Sequence, residues 1–301
     1  MGAQAAVVSD CASIVDPRER LRCYDTSAPR HADPASDQES LLDERLRQEK
    51  EFDQRKFLIT LWRPNYLLHT YSRSPNEAPY QQVEPDAKLQ HQEVKYQVSL
   101  RMRIADDVFH NNGNVWFGYT QLSLWQVYNK QLSSPFRETN YEPELGLSID
   151  TNFNVFGWRH RIFSIGFSHQ SNGQSEPLSR SWNRLWANFV LERGNYVVAI
   201  TPWYRLPESA EDDDNPDIAD YAGRGEIRVI RKSEAHVYTL TLRNNFRSDN
   251  NRGGAQLDWS FPVGKRVKGL VQYYNGYGES LIDYNVYTHR LGIGLQISDW
   301  L

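Results

Sequence analysis

FSIGFSHQSNGQSEPLSRSWNRLWANFVL, residues Phe163 to Leu191, reads as two strands joined by a polar connection. With the two-residue period of a strand, Phe163, Ile165 and Phe167 share one face, and His169 and Ser171 continue it at its outer end. After the connection, Leu185, Ala187, Phe189 and Leu191 form a second apolar face, with Asn183 at its head. Ser164, Gly166, Ser168, Arg184 and Asn188 point the other way. A His, a Ser and an Asn therefore stand together at one end of the greasy side of a hairpin. A soluble protein buries that side, whereas a membrane barrel turns it toward lipid. The position suggests an enzyme that acts on the lipid itself.

The same alternation runs outward from the hairpin. Val94, Tyr96, Val98, Leu100, Met102 and Ile104 alternate with Lys95, Gln97, Ser99, Arg101 and Arg103, and Leu291, Ile293, Leu295 and Ile297 repeat the pattern near the end. Roughly twelve such segments can be placed, an even number as single-chain bacterial barrels require. They begin near Lys56, Val94, Asn114, Tyr141, Trp158, Ser181, Asn195, Tyr221, His236, Gly253, Val267 and Val286. Connections after the even-numbered segments are mostly short, with Arg193-Gly194 the tightest. Those after the odd-numbered ones tend to be longer and polar, as periplasmic turns and outer loops should be. The fold expected is all-β, a twelve-stranded antiparallel transmembrane barrel over residues 54–301 with an N-terminal periplasmic arm over residues 1–53. A lipocalin-like soluble barrel is the rival. Strand number, strand length and the basic residues opposite the apolar faces disfavour it.

Bulk composition agrees. Among 301 residues the net charge is −4, so nothing argues for a nucleic-acid partner. The mean hydropathy of −0.69 and the lack of any long apolar run exclude a helical membrane protein but not a strand-built one. Aromatics at 13%, with 17 Tyr and 9 Trp, suit interfacial girdles. Met1-Gly2-Ala3-Gln4 lacks the basic head and apolar core of a leader and reads as a mature start with an added initiator. Cys11 and Cys23, the only cysteines, read as one disulfide closing a small helical loop. Free thiols or half a metal site form the competing reading, without a His or Cys partner nearby. A Pro/Ser/Asp-rich linker and a charged helical segment, LLDERLRQEKEF, follow as a solvated arm.

Ser171 is the candidate nucleophile, His169 the base that takes its proton, and Asn183 the group that orients the imidazole. His169 and Ser171, two apart on one strand face, are roughly 6.6 Å apart between Cα atoms, a gap that two side chains can bridge. The bland reading is a polar loop mouth whose His and Ser touch water and headgroups.

HQSNGQSEPLSRSWNRLW resembles the active-site signature of the outer membrane phospholipase A family, and YTQLSLWQ, SSPFRETNYEPEL, PWYR, DDDNPDI and YNGYGESLIDYN resemble further family segments in the expected order. The resemblance runs from about Lys56 to the C-terminus, and a compound match of this kind is specific. It implies a twelve-stranded barrel with its site on the outer surface, cleaving acyl esters of glycerophospholipids and lysophospholipids in the Gram-negative outer membrane, at the outer leaflet. It also implies activation by Ca2+ and by formation of a homodimer. By motif position Ser171, His169 and Asn183 form the triad and Gly173 lends its amide to an oxyanion site. Ser179 and the backbone oxygen of Gln174 would hold calcium, with Ser133 reaching in from a second protomer. Glu176 and Asp214 match a further calcium position, where Glu replaces the Asp of the family pattern. An ordinary solvated acidic loop is the alternative for Asp212, Asp213 and Asp214. Gln121 falls at the expected dimer interface, the alternative being a lumenal glutamine, and Arg137, Glu138 and Glu142 fall at positions assigned to structural ion pairs.

A catalytically silent pore or scaffold barrel is the functional rival from another class, and a lipase or esterase for other esters would use the same machinery.

Overall fold

A computed structural model describes residues 11, 13–20, 23, 40–43, 47, 57–110, 112–130, 136–264 and 267–300. The chain divides into two compact units, Met1–Glu44 and Arg45–Leu301. In the first, Cys11 and Cys23 form a disulfide, and Asp16 Oδ1 accepts the Arg18 amide at 2.7 Å in the manner of a helix cap.

The second unit is one antiparallel sheet closed on itself. Its strands are β1 (Ile59–Leu61), β2 (Asn65–Ser72), β3 (Gln92–Ala105), β4 (Asn114–Trp125), β5 (Phe136–Val155), β6 (Trp158–Ser171) and β7 (Ser181–Arg193). They continue as β8 (Tyr196–Arg205), β9 (Gly225–Ser233), β10 (His236–Asn244), β11 (Gly253–Pro262), β12 (Lys268–Gly276) and β13 (Thr288–Ser298). Pairing of β2 with both β3 and β13, together with β3–β4, closes the ring. Both β1 and β2 pair with β3, Leu61 opposite Leu100 and Tyr66 opposite Gln97, so the two are one barrel strand broken at Trp62-Arg63-Pro64. Pro64 has no N–H to give a ladder, and Asn65 bridges the break by accepting the Ser99 amide at 2.7 Å. Counted this way the barrel has the twelve strands expected.

Two boundaries differ from the periodic reading. Tyr221 does not open a strand: Ile218–Tyr221 is a short helix packed under the loop, and β9 starts at Gly225. Ile218 is fully buried among Trp182, Leu281 and Tyr284, so an apolar residue there serves a loop core rather than an outer face. The fourth segment starts at Phe136 rather than Tyr141. Lys56 lies outside the described residues.

Burial is inverted relative to a soluble protein. On β13, Leu291, Ile293 and Ile297 are 55, 59 and 62% exposed, whereas Arg290 and Gln296 are 4 and 2% exposed. An apolar exterior around a polar interior suits hydrocarbon outside and excludes the lipocalin arrangement. Connections on one side are short (156–157, 194–195, 234–235), and those on the other run long (73–91, 172–180, 206–224).

Charged side chains line the lumen and pair with one another there. Glu93 receives Arg137 and Arg290, each at 2.6 Å; Arg137 also meets Asp283 at 2.7 Å; Glu279 receives Arg290 at 2.8 Å and Lys95 at 2.9 Å. Three cations thus face three carboxylates out of water, the condition under which a buried charge is tolerated. A second cluster joins Arg63 and Arg184 to Glu142 and Arg63 to Glu144. Arg137 and Glu142 are in ion pairs, as assigned from the sequence. Among the described residues Glu138 is not: it accepts from Asn140 Nδ2 at 2.5 Å and from the Ile282 amide at 3.0 Å, joining β5 to the loop before β13. Closer to the site, Gly146 and Gly166 sit opposite one another; a Cβ on Gly146 would lie 2.3 Å from the Trp116 ring and one on Gly166 2.3 Å from the Trp186 ring, and the two rings stack inside the barrel.

Glu93→Ala would leave Arg137 and Arg290 without their shared carboxylate. It is expected to lower barrel stability by about 3–5 kcal/mol, read as an earlier midpoint of denaturant unfolding in detergent. An unchanged midpoint would show that the network contributes nothing.

Candidate active site

Strands β6 and β7 pair so that His169 lies directly opposite Asn183, Phe167 opposite Leu185 and Ile165 opposite Ala187. Directly opposed residues on one face bring their Cβ atoms within about 5 Å, and here the result is a hydrogen bond of 2.9 Å between His169 Nδ1 and Asn183 Oδ1. This row is the outer one. Ile165 and Leu185 are 45 and 49% exposed, while Ser164 and Ser168 on the alternate row are buried. Ser168 is thereby set apart from Ser171, which belongs to the outer row at the very end of β6, opposite Ser181 and, on β5, Tyr141. Ser171 makes no hydrogen bond to His169 among the described contacts; it stands beside the His–Asn pair on the same face.

The asparagine amide is held from behind. Its Nδ2 donates to Glu208 Oε1 at 2.8 Å, and its backbone oxygen accepts the Leu206 amide at 2.8 Å. With Nδ2 directed at a carboxylate, Oδ1 faces the ring and must accept, so Nδ1 carries the proton and Nε2 is left with its lone pair.

The connection 172–180 is organised by a residue that periodicity did not single out. Asn172 is 3% exposed. Its Oδ1 accepts the amides of Arg180 at 3.0 Å and Gln174 at 3.3 Å, and its Nδ2 donates to Leu178 O at 2.8 Å. Gly173 follows with φ of +65°, the left-handed region, and a Cβ there would meet the Tyr141 ring at 3.2 Å. The Asn-Gly pair was a visible turn signal. What the sequence did not reveal is that this asparagine faces inward.

Of the calcium ligands expected from the sequence, Ser179 and Asp214 come together: Ser179 Oγ donates to Asp214 Oδ2 at 2.5 Å, between two separate long loops. Their acidic neighbours are engaged elsewhere, Asp213 by Arg205 at 2.6 Å and Asp212 by Ser209 Oγ at 2.6 Å. Asn215, fully buried, receives the Ser181 amide at 2.9 Å and ties the acidic loop to the start of β7. Gln174 and Glu176 are exposed on the same connection as Ser179, and Ser133 lies outside the described residues. Among the described residues no three His, Cys, Asp or Glu side chains gather into a metal cage. The donors on offer are hydroxyl, carbonyl and single carboxylate oxygens. Gln121 is on the outer face, between Val98 and Tyr141, and its Nε2 donates to Ser123 Oγ at 3.2 Å; it does not enter the lumen.

Asn172→Ala removes three loop hydrogen bonds at once and is expected to weaken the connection by about 1–3 kcal/mol. Faster hydrogen exchange at the Arg180 and Gln174 amides, with the strand amides of β6 unchanged, is the outcome to look for. Unaltered exchange at both amides would contradict this role.

Comparison with known proteins bears on the whole barrel. Phospholipase A1 from Klebsiella pneumoniae is 39% identical over 244 residues, spanning 81% of this chain and 83% of its own. The structure of outer membrane phospholipase A from Escherichia coli superposes with a TM-score of 0.75 at 38% identity, covering 81% of this chain and all of that one. A calcium-bound dimer of the Salmonella typhi outer membrane phospholipase superposes at 0.76 with 37% identity, covering 81% and 93% of the two chains. The family model for phospholipase A1 matches residues 42–297, and the chain belongs to that family.

Proposed function

We propose that this chain is a calcium-dependent serine hydrolase of the Gram-negative outer membrane that cleaves acyl esters of glycerophospholipids and lysophospholipids from the lipid-facing surface of its barrel. The observation that carries the reading is the His169–Asn183 hydrogen bond on the outward apolar row, with Ser171 two residues along that row. In such a place an ester at the edge of the bilayer meets the side chains without leaving the lipid.

Asn183 Oδ1 holds the proton on Nδ1, so His169 Nε2 is the free base. As an ester carbonyl approaches, Ser171 Oγ attacks its carbon and passes its proton to Nε2. Hydrogen bonds of this kind often tighten only once substrate is in place, which accommodates a serine standing beside the imidazole without bonding it. The tetrahedral intermediate expels the alcohol, which takes the proton from the imidazolium, and an acyl-serine remains. Water, giving its proton to the same nitrogen, attacks the acyl carbon; the bond to Ser171 Oγ breaks, Oγ takes the proton back from the imidazolium, and the fatty acid leaves. The Gly173 amide is the donor assigned to the oxyanion, on a turn that only glycine adopts without strain.

The pairing of Ser179 with Asp214 fits a hard cation, which prefers oxygen donors. Ser179, the Gln174 carbonyl and Ser133 of a second protomer would hold one calcium ion, and Glu176 with Asp214 a further one. When bound, calcium supplies positive charge beside the developing oxyanion. A ligand contributed by a second copy makes the homodimer the active form, and the outward Gln121 would meet its own copy there, where a polar group in lipid needs a partner. The long loops then lie at the outer leaflet, with the short turns and the arm on the periplasmic side.

A silent pore is not favoured, because buried ion pairs around Glu93, Asp283 and Glu279 bind the loop between β12 and β13 into the lumen. Ser171→Ala, purified in detergent with calcium, should hydrolyse phospholipid roughly a thousand-fold more slowly or worse. Hydrolysis at the parent rate would end the assignment. Chelation of calcium should abolish turnover while the circular dichroism of the barrel stays unchanged, since no strand depends on the ion; loss of β-structure on chelation would contradict this.

A further inference from the structure

Asparagine is a weak third member for a serine triad in two respects. Its amide can present either oxygen or nitrogen to the ring, and only the first leaves the base nitrogen free. Being neutral, it also gives the imidazolium no counter-charge, which an aspartate would. Both shortfalls are answered at one point in this chain.

We propose that Glu208 is a positioning residue of the hydrolytic site, acting through Asn183; the proposal rests on the serine-hydrolase reading above. The Glu208 carboxylate only accepts, and it takes the Asn183 Nδ2 proton at 2.8 Å while Oδ1 on the other side takes the His169 proton at 2.9 Å. A flipped amide would set Oδ1 against a carboxylate oxygen at that separation, two lone pairs facing each other. The flip is therefore disfavoured, and with it the tautomer that would place the proton on Nε2. The chain of bonds runs carboxylate, amide, imidazole, so a full negative charge lies two hydrogen bonds behind the ring that becomes cationic during turnover.

Glu208 belongs to an outer loop and would be a poor anchor if that loop were loose. It is not. Leu206, two residues earlier, donates its amide to the backbone oxygen of Asn183 itself. Arg205 binds both Asp213 at 2.6 Å and Pro216 O at 3.1 Å, and Ser209 Oγ binds Asp212 at 2.6 Å, so Arg205, Asp212 and Asp213 are already engaged. The carboxylate is left to Asn183. It is half-buried, in contrast to the exposed Ser209 and Pro207 on either side.

A charge swap tests this in the full-length, calcium-loaded enzyme with mixed micelles of a glycerophospholipid as substrate. Glu208→Ala is expected to lower kcat about ten-fold or more with KM within two-fold, because binding of the lipid does not involve the amide. Glu208→Gln, which keeps an acceptor but not the charge, should fall between Glu208→Ala and the parent. Asn183→Asp alone puts two carboxylates face to face and should be severely impaired. Combining Asn183→Asp with Glu208→Gln restores a donor between the two side chains. The glutamine amide can donate to one oxygen of the introduced carboxylate while the other oxygen accepts from the ring. This double variant should exceed the single Asn183→Asp variant by about ten-fold. A merely structural loop contact would not produce that rescue. Parental kcat in Glu208→Ala, or a double variant no better than Asn183→Asp, overturns the proposal. Ser171→Ala runs alongside: if it is active, the hydrolase reading itself has failed, whereas an inactive Ser171→Ala with a flat Glu208 series defeats only the role given to Glu208.

Discussion

Closure of the sheet is the constraint from which the rest follows. In hydrocarbon an unpaired strand edge has no water to satisfy it, so every ladder must find a partner. Here the last ladder, β3 with β4, completes a ring that β2 and β13 close on the far side. Once the ring is shut, each strand has two neighbours and one register, and a shift by a single residue would turn every apolar side chain inward. The pairing of His169 with Asn183 is a product of that register. So is the separation of Ser171 from Ser168, two serines close in sequence that look in opposite directions.

The two faces of the wall carry different electrostatic tasks. Inside, Lys95, Arg137 and Arg290 meet Glu93, Glu279 and Asp283 in a balanced network that bonds strands and loops distant in sequence. Those charges neutralise one another and tie the wall to the loop between β12 and β13. Outside, apolar side chains such as Ile165, Leu185, Leu291 and Ile293 dominate the exposed row. The barrel therefore keeps its ionic cost inside the protein, while His169 and Asn183 sit on the opposite, outward row.

Between the faces, three loop residues do the organising. Asn172 folds the connection after Ser171 back on itself, Asn215 ties the acidic loop to β7, and Glu208 reaches the Asn183 amide behind His169. The contact between Ser179 and Asp214 joins the same two loops. His169 and Asn183 on the strand wall thus take their supporting contacts from loops, which side-chain hydrogen bonds to backbone hold in place.

Much of this was legible in the linear chain. A two-residue period is local, and this protein turns its apolar row outward along nearly every strand. The alternation alone therefore determined strand number, most boundaries, and the shared row of His169, Ser171 and Asn183. It misjudged Tyr221, where an apolar cluster serves a buried loop helix, and the motif match misjudged Glu138, whose partners are amides rather than cations. Neither environment could be read locally. Only the tertiary structure decided that Asn183 bonds His169 in one orientation, that Gln121 looks outward, and that Asp214 rather than Asp213 turns to Ser179. Loops carry no period, and their side-chain partners are chosen by the closure of a ring whose strands meet across long stretches of sequence.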